Sequence, residues 1–328
     1  TIDPRSTDTP MDFATKHGHK ALINSSYNFK NDFELINDAS YRFNKSQGFF
    51  FGNSFTDTEM DVVAYNPKLK FKAQLFGYNL SMITGLDSSY TYYRSDRMGS
   101  NGGETNQVYK FSDSNLGLYF NSETQINSSS KLGFGARFQG NWLKATDFVG
   151  PASGAFRTTN ADSLSYDPQY AFHLGFEKNF NSFGTAFSRI GRSFTYPNVD
   201  QRVGQFAFNQ SHDFKLRSQV SNDIELGHKF GFNKLKMSNT FYYMNLRAEL
   251  YYDAVNFMNK NLDASKRYGF ESLTTYNINK RIYVKNSFST SKSKMRAGFY
   301  KGKEIPGVPD LTNTFEVNFK IRDEINFY

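Results

Sequence analysis

The most constraining feature of the chain is a two-residue alternation of apolar and polar side chains that recurs from end to end. It is clearest in the runs Lys68–Leu75, Lys131–Gln139, Phe172–Glu177 and Phe315–Ile321. Successive side chains of a β-strand point to opposite faces, so each run predicts a strand with one apolar and one polar face. No helical periodicity continues beyond two turns, and the sequence therefore predicts an all-β protein.

Short polar turns alternate with long connections along the chain. The turns are rich in Asn, Gly, Asp and Ser, which suit tight hairpins, and are centred near residues 30, 78, 128, 180, 232, 279 and 322. The long connections cover about residues 94–113, 143–168, 195–216, 254–267 and 292–310. A β-sandwich has a turn every ~8–12 residues. The wider spacing here favours an antiparallel transmembrane β-barrel with short periplasmic turns and long extracellular loops.

Composition agrees with a barrel. Aromatic residues make up 17% of the chain, which excludes a disordered protein, and a mean hydropathy of −0.62 excludes a helical membrane protein. Lipid-facing and lumen-facing residues alternate in a barrel, so its average hydropathy stays low.

The pattern predicts about 14 strands of about 9–13 residues, long enough to cross a bilayer when tilted. Aromatic clusters at Tyr90–Tyr93 and Phe241–Tyr243 predict a girdle at the membrane boundary.

The residues needed for catalysis or metal binding are sparse. Cysteine is absent, and no HExxH, GxSxG or P-loop pattern is present. His17 and His19 lack a third ligand close by in the sequence, so we do not predict a metal site. The net charge of +8 is scattered rather than gathered in one stripe, so nucleic acid is not an expected partner. We predict no enzymatic activity and no cofactor.

The long connections carry the candidate ligand-binding residues. They combine aromatic rings with cations, which can hold an anionic or aromatic ligand through charge and stacking. Contact with anionic lipid headgroups, or ordinary packing within a loop, is the alternative for each of them. The candidates are Tyr92, Tyr93, Arg94, Arg97, Phe156, Arg157 and Tyr196.

Four segments of the second half resemble the barrel of TonB-dependent outer-membrane receptors in their order and intervals. They are Arg192–Asn198, Leu216–Gly227, Asn261–Glu271 and Ile305–Pro309. In that family similar patterns occur in the same sequence: F-x-x-P-N, L-x-x-Q/E-x-S-x-x-x-E-x-G, an N followed by G-x-E, and I-P-x-x-P. The resemblance covers residues 192–309, and the first half agrees only in its style of strands and loops.

The resemblance implies a barrel of about 22 strands with a plugged lumen, to which this sequence contributes about 14. We therefore expect residues 1–328 to be a partial barrel domain without the plug domain, cut at both ends. The implied function is active import of a scarce large ligand, such as a ferric siderophore or cobalamin. The implied partners are the TonB energy-transducing complex, acting through the missing plug, and outer-membrane lipids. The implied location is the outer membrane of a Gram-negative bacterium.

Two other classes of protein fit parts of the pattern. One is a passive porin of about 14 strands, complete as given. In the last strand of such a porin, apolar residues should be in phase with the terminal aromatic residue, whereas Glu324 and Asn326 are in phase with Tyr328. The other is a secreted, soluble β-rich adhesin or binding module, which would remain monodisperse without detergent.

The alternation also predicts which side chains face lipid and which face the lumen. Every second residue of a strand should face outward, and the intervening residues should face the pore. We expect Phe134, Phe172, Leu174, Phe315 and Val317 to face lipid, and Arg137, His173, Glu177 and Lys320 to face the lumen.

Overall fold

The computed structural model describes residues 9–29, 32–50, 54–98, 105–149, 157–158, 163–203, 214–255, 258–322 and 325–327. Within these ranges the chain forms eighteen strands and two short 3-10 turns, Asn181–Phe183 and Asp200–Arg202. The strands are β1 (Phe13–Phe29), β2 (Phe33–Phe50), β3 (Ser54–Tyr65), β4 (Lys68–Leu75), β5 (Tyr78–Met98), β6 (Thr105–Asn127), β7 (Ser130–Val149), β8 (Arg157–Thr158), β9 (Ser163–Asn179), β10 (Thr185–Thr195), β11 (Gln219–Phe232), β12 (Leu235–Arg247), β13 (Leu250–Asp253), β14 (Met258–Asn261), β15 (Ser265–Asn277), β16 (Ile282–Met295), β17 (Leu311–Arg322) and β18 (Ile325–Phe327). None of the helical turns in these ranges has the length and apolar character needed to span a bilayer.

One antiparallel sheet contains nearly all of these strands. Its order is β1-β2-β3-β5-β6-β7-β9-β10-β11-β12-β15-β16-β17-β18, which follows the order of these strands in the sequence, while β13 and β14 form a separate two-stranded sheet. Strand β4 continues β3 after Asn66 and Pro67 and pairs with β2 and β5, so β3 and β4 together occupy one place in the sheet. The fourteen places match the number that the sequence predicts, and the meander has the strand order of an up-and-down barrel.

Tight turns lie together at one end of the sheet. The connections β1–β2, β4–β5, β6–β7, β9–β10, β11–β12 and β15–β16 are two to five residues long and coincide with the predicted turns. The β4–β5 turn consists of Phe76 (φ 51°) and Gly77 (φ 81°). Two successive positive φ angles give the turn a twist that matches the strands it joins. The longer connections β7–β9, β10–β11, β12–β15 and β16–β17 lie at the opposite end.

Several strands are longer than the sequence analysis predicts. Strands β5, β6 and β7 contain 21, 23 and 20 residues, and they include positions 94–98, 105–113 and 143–149 that were assigned to loops. The alternation continues there with its phase inverted. Tyr93 and Phe111 face inward and are buried, whereas Arg94 and Lys110 are directly paired on the outer face. Apolar residues therefore change faces beyond the bilayer, because water replaces lipid outside and a folded connection covers the inside.

The outer face of the sheet is mainly apolar, and the cation that it carries at Arg192 lies over the ring of Tyr170 at 4.1 Å. Phe172 is 39% exposed and pairs with Ala136, and the neighbouring pair on the same face is Phe134 with Leu174. A monomeric soluble protein rarely exposes such a large continuous apolar surface. The register confirms that the predicted lipid-facing residues share one face and that Arg137, His173 and Glu177 lie on the other. The side chain of Lys320 lies outside the described part of the structure.

Strand β7 shows the height of the apolar face. Its outward side chains are apolar or small from Leu132 to Trp142, and Lys144 is the next outward residue. Ten steps of about 3.3 Å give about 33 Å along the strand, or about 25 Å along the membrane normal at a tilt of about 40°. Trp142 stacks on Tyr166 of β9 at a centroid distance of 4.9 Å. This pair therefore marks the boundary of the band on the side of the long connections.

Only part of the predicted aromatic girdle lies on the outer face. Tyr90, Tyr92, Phe241 and Tyr243 lie on the exposed outer face. Tyr93 and Tyr242 alternate with them and point inward, because consecutive residues of a strand cannot share a face.

Trp142 is the only tryptophan of this sequence and provides a test of the band. In lipid vesicles, after replacement of any tryptophan elsewhere in the full-length protein, bromines near the headgroups should quench Trp142 more strongly than bromines near the midplane. As a control, Leu143→Trp in a Trp142→Phe background places the probe on the inner face and should be quenched little. Equal quenching of the two probes by lipid would contradict the assignment of the faces.

A charged side chain introduced near the middle of the outer face should lower the free energy of unfolding. We expect Phe172→Arg to cost roughly 2–4 kcal/mol of unfolding free energy, and the cost should increase because Arg192 is its direct cross-strand neighbour. The matched control is Gly175→Arg on the inward face of the same strand, where the nearest atom to an added Cβ is the Ser188 carbonyl oxygen at 3.8 Å. Urea titration in lipid vesicles measures both changes. Equal costs for the two variants would refute the inside-outside pattern.

Candidate functional site

The candidate site lies on the inner face at the end of the long connections, where the β10–β11 connection folds over three strands. The described parts of this connection, residues 196–203 and 214–218, pack against inward side chains of β7, β6 and β5. We call this buried cluster the capped mouth. It consists of Tyr93, Tyr109, Phe111, Leu143 and Ala145 from the strands and Val199, Val203 and Phe214 from the connection.

Aromatic rings join the connection to the wall. The ring of Phe214 meets Phe111 at 5.5 Å and Tyr109 at 6.3 Å between centroids, nearly perpendicular in both cases. Tyr93 packs against Phe111 at 5.6 Å in the same edge-to-face manner. This geometry adds favourable quadrupole contacts to the burial of apolar area. Phe214 is therefore the main apolar anchor of the connection.

Two buried arginines accompany the rings. The guanidinium carbon of Arg97 lies 5.0 Å from the centroid of Tyr109, and the residue is only 4% exposed. Arg202 donates from Nη1 to the carbonyl oxygens of Phe214 (2.8 Å) and Leu216 (3.3 Å). Arg202 therefore holds the connection through its backbone at the residue whose ring is buried.

Electrostatics keep the phenol of Tyr93 neutral. This residue lies beyond the apolar band, seventeen positions along the chain from Phe76 in the tight turn. Burial, together with the charge of Asp200, raises the pKa of Tyr93 to about 12, and Arg97 opposes the shift. At neutral pH the capped mouth thus presents neutral rings beside two guanidinium groups.

Polar side chains continue down the inner face below the capped mouth. Arg189 forms ion pairs with Asp223 (2.9 Å) and Glu225 (3.2 Å), and Arg137 pairs with Asp87. A cavity of about 290 Å³ lies between these cations and His173. Such charged residues on a face opposite to exposed apolar side chains are typical of a hydrated lumen.

A second inward cavity of about 630 Å³ lies at the end of the tight turns. Its polar lining includes Glu34, Lys70, Lys72 and Glu123. In the described ranges, no group of three or more His, Cys, Asp or Glu side chains lies close enough together to hold a metal ion.

The structure brings together only two of the seven candidate residues. Tyr93 and Arg97 both belong to the inner face of β5 and are buried near one another. Tyr92 and Arg94 lie on the outer face of the same strand, where Arg94 pairs with Asp96 at 2.9 Å. Ligand contact by these residues therefore remains a prediction, and it fits the geometry best for Tyr93 and Arg97.

The remaining candidates lie elsewhere. The hydroxyl of Tyr196 is 2.9 Å from the carbonyl oxygens of both Gln139 and Asp167, so it fastens the end of β10 to β7 and β9. Phe156 lies outside the described residues, and Arg157 is described only through its backbone pairing in β8.

Sequence reasoning missed Arg202, Phe214 and the buried pair Gln107 and Asp147, in which Gln107 Nε2 lies 2.9 Å from Asp147 Oδ1. A signal for the pair was present, because Gln107 is in phase with Tyr109 and Phe111 beyond the predicted end of the strand. No local pattern marks Phe214, since its ring contacts strands about a hundred residues earlier, or Arg202, which bonds to carbonyl oxygens of the same connection.

Two of the segments that carry the family resemblance, Leu216–Gly227 and Asn261–Glu271, meet at the rim of the barrel. Asn261 accepts a hydrogen bond from the Arg217 backbone N–H (2.8 Å) and donates to the carbonyl oxygens of Arg217 and Ala248 (2.9 and 2.8 Å). Ser265 and Arg267 both bond to the buried carboxylate of Glu249. These residues tie the long connections to the ends of the strands.

The family model described as TonB dependent receptor-like, beta-barrel matches residues 2–326. The chain belongs to this family. The match includes the first half, where the sequence alone showed no family motif. It accounts for the meander of fourteen places, the apolar outer face and the polar inner face as the wall of a transmembrane barrel.

Solved structures of similar fold support the assignment of this chain to a barrel. The ferric yersiniabactin uptake receptor FyuA from Yersinia pestis has a TM-score of 0.74 at 12% identity, covering 94% of this chain and 48% of that one. The closed form of the ferric-catecholate import receptor Fiu from E. coli has 0.75 at 12% identity, covering 96% and 53%. The copper transporter OprC has 0.72 at 12% identity, covering 95% and 52%.

The chain thus spans about half the length of the solved receptors that it resembles. No curated protein sequence matches it significantly. The family and the structural neighbours are transport receptors rather than enzymes, and the identities of about a tenth show the fold alone.

The anchor of the capped mouth can be tested by truncation. Phe214→Ala should release the β10–β11 connection, because truncating a buried Phe typically costs roughly 3–5 kcal/mol. Hydrogen exchange of residues 196–218 in the detergent-solubilised receptor should then rise sharply, while the β11–β12 hairpin stays protected. Phe183→Ala at an exposed tight turn is the matched control and should change neither region. An unchanged exchange rate in Phe214→Ala would show that the ring does not hold the connection.

Proposed function

We propose that this chain is part of the barrel of a receptor that imports a scarce large ligand across the outer membrane of a Gram-negative bacterium, energised through TonB. The family match over residues 2–326 is the observation that carries the proposal. The capped mouth supports it, because the described residues of the β10–β11 connection pack against the inner face of the wall at the end of the long connections, where an external ligand would first meet the lumen.

Each part of the described geometry has a place in this function. The apolar band of about 25 Å holds the wall in the bilayer. The ion pairs of Arg137 and Arg189 keep the lumen hydrated. In this proposal a plug domain fills that lumen and transmits the action of the TonB complex, and the described strands form the wall.

A ferric siderophore is the ligand class that we favour. The capped mouth offers the rings of Tyr93 and Tyr109 beside Arg97 and Arg202, and such groups suit an anionic complex with aromatic or carboxylate donors. The receptors with similar folds differ in their cargo, from ferric yersiniabactin in FyuA to copper in OprC. Cobalamin or another large complex is therefore the alternative, and the ligand must be found by direct uptake measurements.

Uptake by the full-length receptor tests the proposal. A strain that lacks its own iron receptors and expresses this one should accumulate radioactive iron from one ferric complex in a panel of catecholate, hydroxamate and citrate chelates, with labelled cobalamin as a comparison. Deletion of TonB or addition of a protonophore should abolish this uptake. Uptake that persists without TonB would instead indicate a passive pore.

The guanidinium groups of the capped mouth should set the affinity for an anionic complex. Removing one charge-assisted contact typically costs roughly 1.5–3 kcal/mol, so Arg97→Gln should weaken binding about 10-fold or more. The matched control is Lys280→Gln, which removes an exposed cation at the opposite rim. Unchanged binding in Arg97→Gln, with native folding, would exclude Arg97 from ligand contact.

A further inference from the structure

The outer face carries three side-chain amides inside the apolar band, on strands β12, β16 and β17. Asn239 lies two positions from Phe241, which is 60% exposed on that face. Asn286 is the direct partner of Phe315, and Asn313 lies two positions from Phe315. Since every second residue of a strand shares a face, all three amides point outward. With two outward hydroxyl residues of the intervening β15 they form what we call the amide row: Asn239, Ser272, Thr274, Asn286 and Asn313.

The amide row lies within the bilayer and not at its boundary. Asn239 is four residues from Leu235, where β12 begins after its tight turn, and Asn286 is four residues from Ile282, where β16 begins. Four steps give about 13 Å along a strand and about 10 Å along the membrane normal, in a band about 25 Å high. Tyr243 of the aromatic girdle lies four residues further along β12 than Asn239. The row is therefore at a depth where a lipid offers only hydrocarbon.

Hydrogen bonds within the wall use only part of the capacity of the row. Ser272 Oγ donates to Asn239 Oδ1 at 2.8 Å. Asn286 Nδ2 donates to Asn313 Oδ1 at 2.7 Å and to the Thr314 carbonyl oxygen at 3.3 Å. Among the described residues, no partner reaches Nδ2 of Asn239, Nδ2 of Asn313 or Oδ1 of Asn286. Hydrocarbon cannot supply these bonds, and a polar group left unbonded there costs free energy.

Asn37 of β2 shows how an outward amide at this depth can be satisfied within the wall. It also lies four residues from the start of its strand. Its Oδ1 accepts from Tyr65 Oη at 2.9 Å, and its Nδ2 reaches Ser25 Oγ at 3.5 Å. The amide row differs because its unbonded donors and acceptor lie together in one sector of the wall. One partner surface can therefore meet all of them.

We propose that the amide row is the surface through which a second copy of this barrel binds, so that two receptors form a symmetric dimer in the outer membrane. This inference rests on the proposed placement of the barrel in that membrane. The occupant must offer donors and acceptors about 10 Å above the tight turns. A second copy inserted in the same direction meets this condition, because the two-fold axis then runs along the membrane normal. Each residue thus faces residues of the partner at its own depth.

The chemistry of the row is complementary to itself. A carboxamide both donates and accepts, so Nδ2 of Asn239 and Asn313 can donate across the axis to the partner subunit's Asn286. Asn and Ser side chains join transmembrane helices by the same kind of bond. Phe241 and Phe270, with centroids 4.6 Å apart, lie on the long-connection side of the row and keep lipid away from these bonds.

The strength of the dimer tests the role of the amides. Sedimentation equilibrium of the full-length receptor in density-matched detergent micelles gives the dissociation constant. Asn239→Leu with Asn313→Leu should raise this constant about 10–100-fold, because each copy loses the donors that cross the axis. Asn239→Gln with Asn313→Gln retains the amides and should retain most of the dimer. The matched control Asn37→Leu removes an outward amide at the same depth elsewhere on the wall and should leave the dimer unchanged.

The leucine variant is expected to fold, since leucine suits a surface that faces hydrocarbon. Migration of heated and unheated samples in gel electrophoresis verifies this. An unchanged dissociation constant in the folded leucine variant would overturn the proposal. A receptor that is monomeric at every concentration, in micelles and in lipid vesicles, would overturn it as well.

Cross-linking tests where the two copies meet. This sequence contains no cysteine, so a single one can be introduced once any cysteine elsewhere in the full-length protein is replaced. Under a two-fold axis, a residue near the axis meets its own copy. Thr274→Cys should therefore form a disulfide-linked dimer on oxidation in lipid vesicles. Ala136→Cys, a small outward residue of β7, is the matched control and should not. Equal cross-linking of the two variants, or cross-linking of Thr274→Cys only to a different membrane protein, would contradict the symmetric dimer.

These readouts are independent of transport. A receptor that forms the dimer but imports no ligand would refute only the proposed function. A receptor that imports its ligand as a monomer would refute only the dimer. The glutamine variant, which keeps the amides, distinguishes loss of hydrogen bonding from any other effect of the substitutions.

Discussion

The structure depends on one constraint: a single layer of β-sheet separates two different solvents, and hydrocarbon offers no partner for a backbone N–H or C=O group. Long antiparallel strands satisfy their backbone groups in register with their neighbours, as the continuous pairing of β5, β6 and β7 shows. The side chains are then free to match the solvents. Phe134 and Leu174 face outward, while Arg137 and His173 face inward, one residue away along the chain.

The same constraint explains the site. Beyond the band, water lies on the outer side, and the outward side chains become charged, as at Arg94 and Lys110. The inner face at this height packs against the β10–β11 connection, and it carries the apolar residues Tyr93, Phe111 and Leu143 beside the buried polar residues Arg97, Gln107 and Asp147. The capped mouth is thus the place where the polarity of the two faces is exchanged. A barrel wall that continued its membrane pattern there could neither hold the connection nor remain soluble at its rim.

The family resemblance also has a physical meaning in this structure. Asn261 and the partners of Glu249 lie at the points where long connections leave the strands. Asn261 donates to the carbonyl oxygens of Arg217 and Ala248, and Ser265 donates to the buried carboxylate of Glu249. Such residues depend on the barrel rim and not on the ligand. They therefore identify the family, while the residues of the capped mouth, which lie on β5–β7 and in the β10–β11 connection, belong to none of the motifs.

The two-residue period by itself determined the all-β fold, the number of places in the sheet, the positions of the tight turns and the two faces of the strands, because these follow from local backbone geometry. It could not determine where a strand leaves the bilayer, since the same period continues there with its phase inverted. Tyr92 and Tyr93 are adjacent and chemically alike, and the pleat sends one outward and buries the other beneath Phe214. Only the tertiary structure decided that outcome, because the contacts of Phe214 with Tyr109 and Phe111 join a connection to strands about a hundred residues earlier. The contact of Arg97 with Tyr109 likewise depends on the pairing of β5 with β6.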